Sequence, residues 1–219
     1  MQPRAESPRN SPIAGVLLTN ADIDHALGLI LLRQRETPLV VYASDETRSA
    51  LDWIDAVLKP FCRIEWRTKL DCFNQSNSQE FISLGSGLGF RALELQKGTA
   101  FQLRDEVSGV SALIAPAVGE MTNELREAAN TSALILFDGT FWSEDELRAI
   151  RPGARSARVM NHLPISAGSL DFLRNSPARR KIYMHINNTN PIYMPGSSER
   201  RQVEQAGIEI GCDGMEIVL

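Results

Sequence analysis

The sequence lacks the features of proteins that bind nucleic acids or span membranes. Its 23 Lys and Arg residues are outnumbered by 27 Asp and Glu residues, and no basic stripe is present to collect phosphates. No apolar run reaches membrane-spanning length, and the polar start of the chain lacks the apolar core of a signal peptide. We therefore expect a cytoplasmic protein that binds neither nucleic acid nor membrane.

Cysteine is also scarce, and its three copies show no C-x-x-C spacing. An odd number of cysteines without a signal peptide favours reduced, buried thiols over disulfides or metal ligands. The polar segment 1–12 carries three prolines, and we predict that it is disordered. Residues 13–219 are expected to form a single domain, since a hydrophobic content of 43% is ordinary for a globular protein with a sizeable core.

Histidine occurs only three times, as His25, His162 and His185, and each copy stands close to Asp or Asn. Neutral imidazole is the commonest protein ligand for transition metals, and carboxylate is its usual companion. A chain that uses so few histidines in such surroundings is predicted to use them for metal chemistry.

Apolar runs and helical spacings alternate along the chain, which predicts an α/β layer structure. The predicted strands are 13–18, 39–43, 64–66, 81–84, 88–95, 100–103, 111–116, 133–137, 181–184, 208–210 and 215–219. The predicted helices are 24–35, 45–58, 121–130, one that opens at Ser143, 166–175 and 198–206. Ser44 or Asp45 is expected to cap the second helix.

Three of the apolar strands lead directly to candidate ligands: Asp24 with His25, then Asp138, then His185. In layered α/β proteins, sites form where the ends of strands converge. Two histidines and one carboxylate form the facial arrangement of non-haem iron oxygenases. An additional Asp would also suit zinc, so the residue types leave the metal open.

Four segments carry a family resemblance: T-N-A-D-I-D-H at 19–25, F-D-G-T-F-W at 137–142, H-I-N-N-T-N-P at 185–191 and D-G-M-E-I at 213–217. In this order they resemble the pyrroloquinoline quinone (PQQ) biosynthesis protein B family, a branch of the metallo-β-lactamase superfamily. The resemblance implies a metallo-β-lactamase-like αββα sandwich. It also implies Fe(II)-dependent hydroxylation of a tyrosine-derived intermediate, a small quinone precursor.

The departures from the superfamily motif T-H-x-H-x-D-H bear on the metal site. Asn20 and Asp22 stand where two histidines would hold the first metal. The resemblance therefore implies a mononuclear site formed by Asp24, His25 and His185, with Asp138 nearby. Fe(II) is the expected metal, and Zn(II) is the alternative.

Three other functions stay open. They are a carrier role for the finished quinone, a zinc-dependent metallo-hydrolase, and a non-catalytic truncated homologue. The family's Gly-rich first strand and cysteine-rich zinc segment do not occur in the sequence. We therefore expect an incomplete N-terminal sheet, which a homo-oligomer or a partner chain would complete.

The remaining candidates surround the expected ligands. His162 stands in N-H-L-P-I where the family has G-H-M-S-M, and it is expected to face the substrate or to neighbour the metal. Asn20 and Asp22 are expected to orient ligands. Asn187 and Asn188 offer hydrogen bonds to the substrate or to their own loop. Asp138 is expected to be a ligand, to form a turn with Gly139, or both.

Overall fold

The computed structural model describes residues 11–68, 81–85 and 87–219. They belong to two compact units, Met1–Glu80 and Phe81–Leu219. Most of the predicted disordered segment 1–12 lies outside the described residues, as does Cys72. Within the described parts of the chain, no helix is long and apolar enough to cross a membrane. The prediction of a single domain stays a prediction.

The first unit contains a parallel three-stranded sheet in the order β1-β2-β3. The strands are β1 (Gly15–Leu17), β2 (Leu39–Tyr42) and β3 (Ile64–Arg67). The helices are α1 (Ile23–Ala26), α2 (Gly28–Leu31), α3 (Asp45–Ala50) and α4 (Asp52–Leu58). Alternate residues of β2, Leu39 and Val41, are fully buried and belong to one apolar cluster with Leu51 and Ile54 from the helical segment.

Both helices predicted for the first unit are interrupted. The segment 45–58 divides into α3 and α4 at Leu51, whose φ of −108° and ψ of 16° leave the helical region. Leu51 is fully buried, and burying its side chain offsets the lost helical geometry. Ser44 is the N-cap of α3, as predicted, because its side chain accepts a hydrogen bond from the Thr47 amide at 3.1 Å. The segment 24–35 divides into α1 and α2 at Leu27, which keeps a helical backbone, and the regular helix ends at Leu31.

The second unit contains a seven-stranded sheet in the order β10-β9-β8-β7-β6-β5-β4. Its strands are β4 (Ile82–Ser83), β5 (Leu88–Glu94), β6 (Thr99–Asp105), β7 (Ser111–Ala115), β8 (Leu134–Asp138), β9 (Arg180–Met184) and β10 (Glu209–Ile210). Pairing from β4 to β7 is antiparallel, whereas pairing from β7 to β10 is parallel. The parallel half carries the residues predicted for chemistry.

Among the described residues of the second unit, four α-helices and three 3-10 helices lie between the strands. The α-helices are α5 (Asn123–Asn130), α6 (Glu146–Ile150), α7 (Ser169–Asn175) and α8 (Ser198–Gln205). The 3-10 helices are Arg158–Met160, Ile165–Ala167 and Pro191–Tyr193. Thr122 and Ser197 cap α5 and α8 through their hydroxyl oxygens.

Two predicted elements of this unit are wrong. The helix expected to open at Ser143 begins at Glu146, because the Glu144 carbonyl instead accepts a hydrogen bond from the Ala157 amide at 3.0 Å. The final strand at 215–219 is absent, and those residues have no regular secondary structure. A turn at Asp213 and Gly214 diverts the chain from the sheet, with Gly214 at a φ of +77°.

Parallel pairing places the end of β8 beside the end of β9. Asp138 is in register with Met184, so His185 follows immediately at the same edge of the sheet. Below this edge, Ile135, Phe137 and Tyr183 belong to the fully buried core, together with side chains of α5 and α7. The core thus holds two strand ends rigidly in line, which brings Asp138 and His185 together as their shared strand-end pattern predicts.

Candidate metal centre

Asp138, His162 and His185 form a cluster in the second unit. A ligand atom from each lies within 4.8 Å of the others, which is close enough for all three to contact one metal ion. Asp138 comes from the end of β8, His185 follows β9, and His162 follows the 3-10 helix Arg158–Met160. The cluster offers two imidazoles and a carboxylate, a donor set suited to iron or zinc.

The Asp138 side chain is fully buried and accepts four hydrogen bonds. Its Oδ2 atom accepts from the Val118 amide and from Nδ1 of His162, each at 2.8 Å. Its Oδ1 atom accepts from the amide of Thr140 at 3.0 Å and from the hydroxyl of Thr140 at 2.6 Å. A carboxylate has about four lone-pair positions, so this group is saturated within the protein. The bond to the Thr140 amide is also the turn predicted for Asp138.

His162 is held by the backbone on both sides. Asn161 has a φ of +67°, a left-handed conformation that Asn tolerates better than most residues. Leu163 donates its amide to the Val118 carbonyl at 2.6 Å. The imidazole is 12% exposed and packs edge-on against Phe141, with ring centroids 5.8 Å apart. Its Nε2 has no hydrogen-bond partner among the described residues, so this atom is available to a ligand or substrate.

His185 also has a left-handed backbone, with a φ of +56°. Such a conformation is uncommon for a residue with a β-carbon, and it often marks a functional position. Nδ1 of His185 lies 2.7 Å from the Thr140 hydroxyl. The His185 ring stacks against His162, with centroids 5.4 Å apart and ring planes inclined by 23°. Thr140 therefore connects His185 to Asp138, which itself holds His162.

Gly139 and Asn190 hold Thr140 in place. The Gly139 amide donates to the Met184 carbonyl at 2.8 Å, which extends the contact between the two strands past Asp138. A β-carbon at position 139 would lie 2.9 Å from the Tyr183 β-carbon and 3.0 Å from the Met184 carbonyl oxygen. The buried Asn190 amide donates to the Gly139 carbonyl at 2.8 Å. These contacts fix Thr140 opposite His185.

Tyr183 lies beneath the cluster as a neutral phenol. Burial raises its pKa well above the ordinary value, and the Asp138 carboxylate raises it further, while a hydrogen bond with Ser169 acts in the opposite direction. The two hydroxyl oxygens lie 3.0 Å apart. Tyr183 therefore fills the core below the cluster without adding a second negative charge.

In the first unit, Asp24 and His25 lie in α1, at the end of the loop that follows β1. The Asp24 side chain is 65% exposed and the His25 side chain is 10% exposed. Nδ1 of His25 lies 2.8 Å from the Thr19 hydroxyl, the same type of contact that Thr140 makes with His185. Each of these two histidines is thus oriented at Nδ1 by a threonine.

Asn20 and Asp22 are bonded to each other. The Asn20 amide nitrogen donates to Asp22 Oδ2 at 3.1 Å, and the Asp22 backbone amide donates to Asn20 Oδ1 at 3.1 Å. The Asp22 carbonyl accepts from the His25 amide at 3.0 Å. These bonds shape the loop that presents His25, and the orienting role of Asn20 and Asp22 stays a prediction.

The asparagines after His185 differ from one another. The Asn187 backbone amide donates to the Thr140 carbonyl at 3.2 Å, and Asn188 is exposed. Asn190, which the sequence analysis did not select, is the one whose buried side chain supports the site. Thr19 and Thr140 were also missed. Their positions within T-N-A-D-I-D-H and F-D-G-T were available signals, because each hydroxyl lies near a candidate ligand in sequence.

Comparison with known proteins identifies the superfamily of the chain. The family model for the β-lactamase superfamily domain matches residues 1–186. The fold is the metallo-β-lactamase fold, as predicted, and Asp138 and His185 lie where two neighbouring strands of the second unit end.

The more specific relatives share one name. Coenzyme PQQ synthesis protein B from Cupriavidus necator is 34% identical, over 100% of this chain and 77% of that protein. The protein of the same name from Rhizobium meliloti is 36% identical, over 100% of this chain and 75% of its own length. The crystal structure of Zn²⁺-bound PqqB from Methylobacterium extorquens has a TM-score of 0.82 and 28% identity, covering 100% of this chain and 75% of that one. The chain belongs to the coenzyme PQQ synthesis protein B family.

Proposed function

We propose that the protein takes part in PQQ biosynthesis and carries out a metal-dependent hydroxylation of a tyrosine-derived intermediate. Its relatives at 34% and 36% identity are coenzyme PQQ synthesis proteins, which supports the pathway. A small quinone precursor is the proposed substrate. The buried Asp138 carboxylate, bonded to His162 beside His185, is the observation that carries the proposal of chemistry at this position.

We assign the metal to Asp24, His25 and His185, the residues that match the superfamily motif. Two imidazoles and one carboxylate suit Fe(II) with open coordination positions, and a bound metal of this kind supplies redox chemistry that side chains lack. Zn(II) is the alternative metal, and a relative from Methylobacterium extorquens is zinc-bound. The contacts between Nδ1 and threonine at His25 and His185 suit ligands that bind through their other nitrogen.

Asp138 is better suited to holding His162 than to binding the metal directly. To bind a metal, its carboxylate would have to give up one of the four hydrogen bonds that it accepts. Losing such a bond costs about 0.5–1.5 kcal/mol, and more if a buried donor is left unpaired. We therefore place Asp138 behind His162, where it keeps hydrogen on Nδ1.

His162 is the proposed proton carrier of the reaction. Its Nδ1 is committed to Asp138, so Nε2 is the atom that can accept or return a proton. A carboxylate behind a histidine also stabilises the imidazolium that forms on proton transfer. Packing against Phe141 and His185 limits rotation of the ring.

An anaerobic Fe(II) titration tests the ligand assignment. We expect about one metal per chain in the wild type by the facial-triad argument, with binding lost in His185→Ala and in His25→Ala. His162→Gln serves as the matched comparison and should keep its metal while losing turnover. Unchanged metal binding in His185→Ala would refute the assignment. Loss of metal in His162→Gln together with retention in His25→Ala would favour the cluster of Asp138, His162 and His185.

Activity assays separate the proposed reaction from its alternatives. Metal-dependent oxygen consumption with a tyrosine-derived precursor supports hydroxylation. Efficient turnover of a phosphodiester or lactone with added Zn(II) would instead identify a hydrolase. Tight quinone binding without metal-dependent oxygen consumption would identify a carrier. Size-exclusion chromatography with light scattering tests the predicted homo-oligomer.

A further inference from the structure

We propose that Thr140 is a positioning residue that fixes which nitrogen of His185 carries hydrogen. This inference rests on the proposed function only in treating His185 as a metal ligand. Its geometry lies wholly within the second unit. The Thr140 hydroxyl lies 2.6 Å from Asp138 Oδ1 and 2.7 Å from His185 Nδ1, and it also lies 3.0 Å from the His185 carbonyl oxygen.

The direction of these bonds follows from counting hydrogens. A hydroxyl has only one hydrogen to give, and a carboxylate or carbonyl oxygen can only accept one. The Thr140 hydrogen therefore points to Asp138 Oδ1 or to the His185 carbonyl oxygen, and not to the imidazole. The bond to His185 must then be donated by the imidazole. His185 therefore carries hydrogen on Nδ1, and in the neutral ring this leaves the lone pair on Nε2, the nitrogen that would bind a metal.

The surroundings of Asp138 support its role as an acceptor. Two of its four partners are the backbone amides of Val118 and Thr140, which can only donate. They are directed at both oxygens of the carboxylate, at 2.8 Å and 3.0 Å. Each carboxylate oxygen of Asp138 is therefore an acceptor. Asp138 therefore sets the hydrogen positions of His162 directly and those of His185 through Thr140.

The position of Thr140 is fixed by the strands rather than by its own side chain. Gly139 lies against Tyr183 and Met184 at distances that leave no space for a β-carbon. Asn190 holds the Gly139 carbonyl from the other side. Valine at position 140 would therefore occupy the same place without a hydroxyl, which makes Thr140→Val a nearly isosteric test.

The chain has only three histidines, so the ring-nitrogen signals of each imidazole can be assigned and the position of its hydrogen measured. Long-range ¹H–¹⁵N NMR of metal-free protein, at a pH well above the ordinary histidine pKa of about 6.5, distinguishes Nδ1–H from Nε2–H for each ring. We expect Nδ1–H at His185 in the wild type and in Thr140→Ser, and loss of that preference in Thr140→Val. Thr189→Val is the matched control, because it removes a hydroxyl bond of 2.6 Å to Glu146 and leaves Thr140 unchanged.

Metal affinity gives the second measurement. Removing the partner of a metal-binding histidine typically weakens binding 10–100-fold, so Thr140→Val should show a loss of that size and Thr140→Ser should restore most of it. A wild-type His185 with hydrogen on Nε2, or a Thr140→Val spectrum identical to wild type, would overturn the proposal. Because the spectra need no metal, failure of the hydroxylation assay would leave this test unaffected.

Discussion

Gly119 and Asn161 are packed so tightly that a β-carbon on the glycine would overlap the amide oxygen of the asparagine. The two residues belong to the segments that carry Val118 and His162, both of which bond to Asp138. The close approach therefore sets the distance between these segments.

Gly119→Ala should destabilise the protein, because the Asn161 side chain must move away from the added methyl group, which disturbs its hydrogen bond to the Lys97 carbonyl. Overpacking of this kind costs about 1–3 kcal/mol. Thermal unfolding measures the loss, and the NMR signal of His162 should shift. Gly28→Ala is the control: a β-carbon there meets nothing within 4 Å and lies in α2, so that variant should be neutral or more stable. Equal stability of the two variants would contradict the packing argument.

Asn161 should tolerate glycine better than alanine. Its φ of +67° suits glycine, whereas alanine pays about 1–2 kcal/mol in the left-handed region. Both changes remove the 3.3 Å hydrogen bond from the Asn161 side-chain amide to the Lys97 carbonyl. The difference in stability between the two variants therefore measures the cost of the left-handed backbone. Chemical denaturation should give Asn161→Gly a larger free energy of unfolding than Asn161→Ala. The reverse order would show that the backbone conformation is not limiting.

Gly139→Ala should affect the metal centre more than the rest of the fold. The new methyl group would meet the Tyr183 β-carbon and the Met184 carbonyl oxygen, and the backbone must move to admit it. Thr140 would move with it, so we expect weaker metal binding together with a stability loss of about 1–3 kcal/mol. Calorimetric metal titration and thermal unfolding report the two effects. Unchanged metal affinity in a destabilised variant would separate Gly139 from the site.

Glu209→Gln should make stability less dependent on pH. Arg180 donates two hydrogen bonds to Glu209, at 2.9 Å and 2.8 Å, and this bonding lowers the pKa of the carboxyl group. A lowered pKa stabilises the fold above the ordinary glutamate value of about 4.3, and that contribution disappears as the pH falls through the lowered pKa. The pair is partly exposed, so we expect Tm to fall by roughly 1–2 °C at neutral pH.

The difference between wild type and Glu209→Gln should vanish in acid. Below the lowered pKa, the protonated Glu209 side chain and the glutamine that replaces it are both neutral, so neither protein has the ion pair. Thermal unfolding at several pH values measures this convergence. A constant difference across the range would mean that the glutamine disturbs the pairing of β9 with β10 by another route.

Apolar runs, each followed by a candidate ligand residue, predicted the strands that matter most to the site. The run that leads to Asp138 is continuous and apolar, as a strand buried on both faces requires, whereas the strand that leads to His185 begins with Arg180 and Lys181. The two strands pair in parallel. The interruption at Leu51 was not predictable, because it follows from burial of that side chain in a core that the sequence pattern does not describe. The expected strand at 215–219 does not form. A turn at Asp213 and Gly214 precedes this segment, and the apolar pattern alone did not indicate its effect.

Candidate ligands were easier to predict than their supports. The histidines are rare and stand beside carboxylates, so their chemistry was visible in the sequence. The role of Thr140 depends on the register of Asp138 with Met184, which brings residue 140 within hydrogen-bond distance of residue 185 across 45 positions of sequence. Asn190 reaches Gly139 across 51 positions. Contacts of this range depend on tertiary structure, so the sequence marks Thr140 as a neighbour of Asp138 but not as the partner of His185.

The left-handed backbone at His185 has a consequence for laboratory evolution. Asparagine and glycine adopt that conformation at lower cost than histidine, so folding alone gives no reason to keep an imidazole there. A library of variants at position 185 selected for heat resistance should drift towards those two residues. The same library selected for metal retention should return to histidine, and the divergence of the two populations would record how strongly binding and folding oppose each other at this residue.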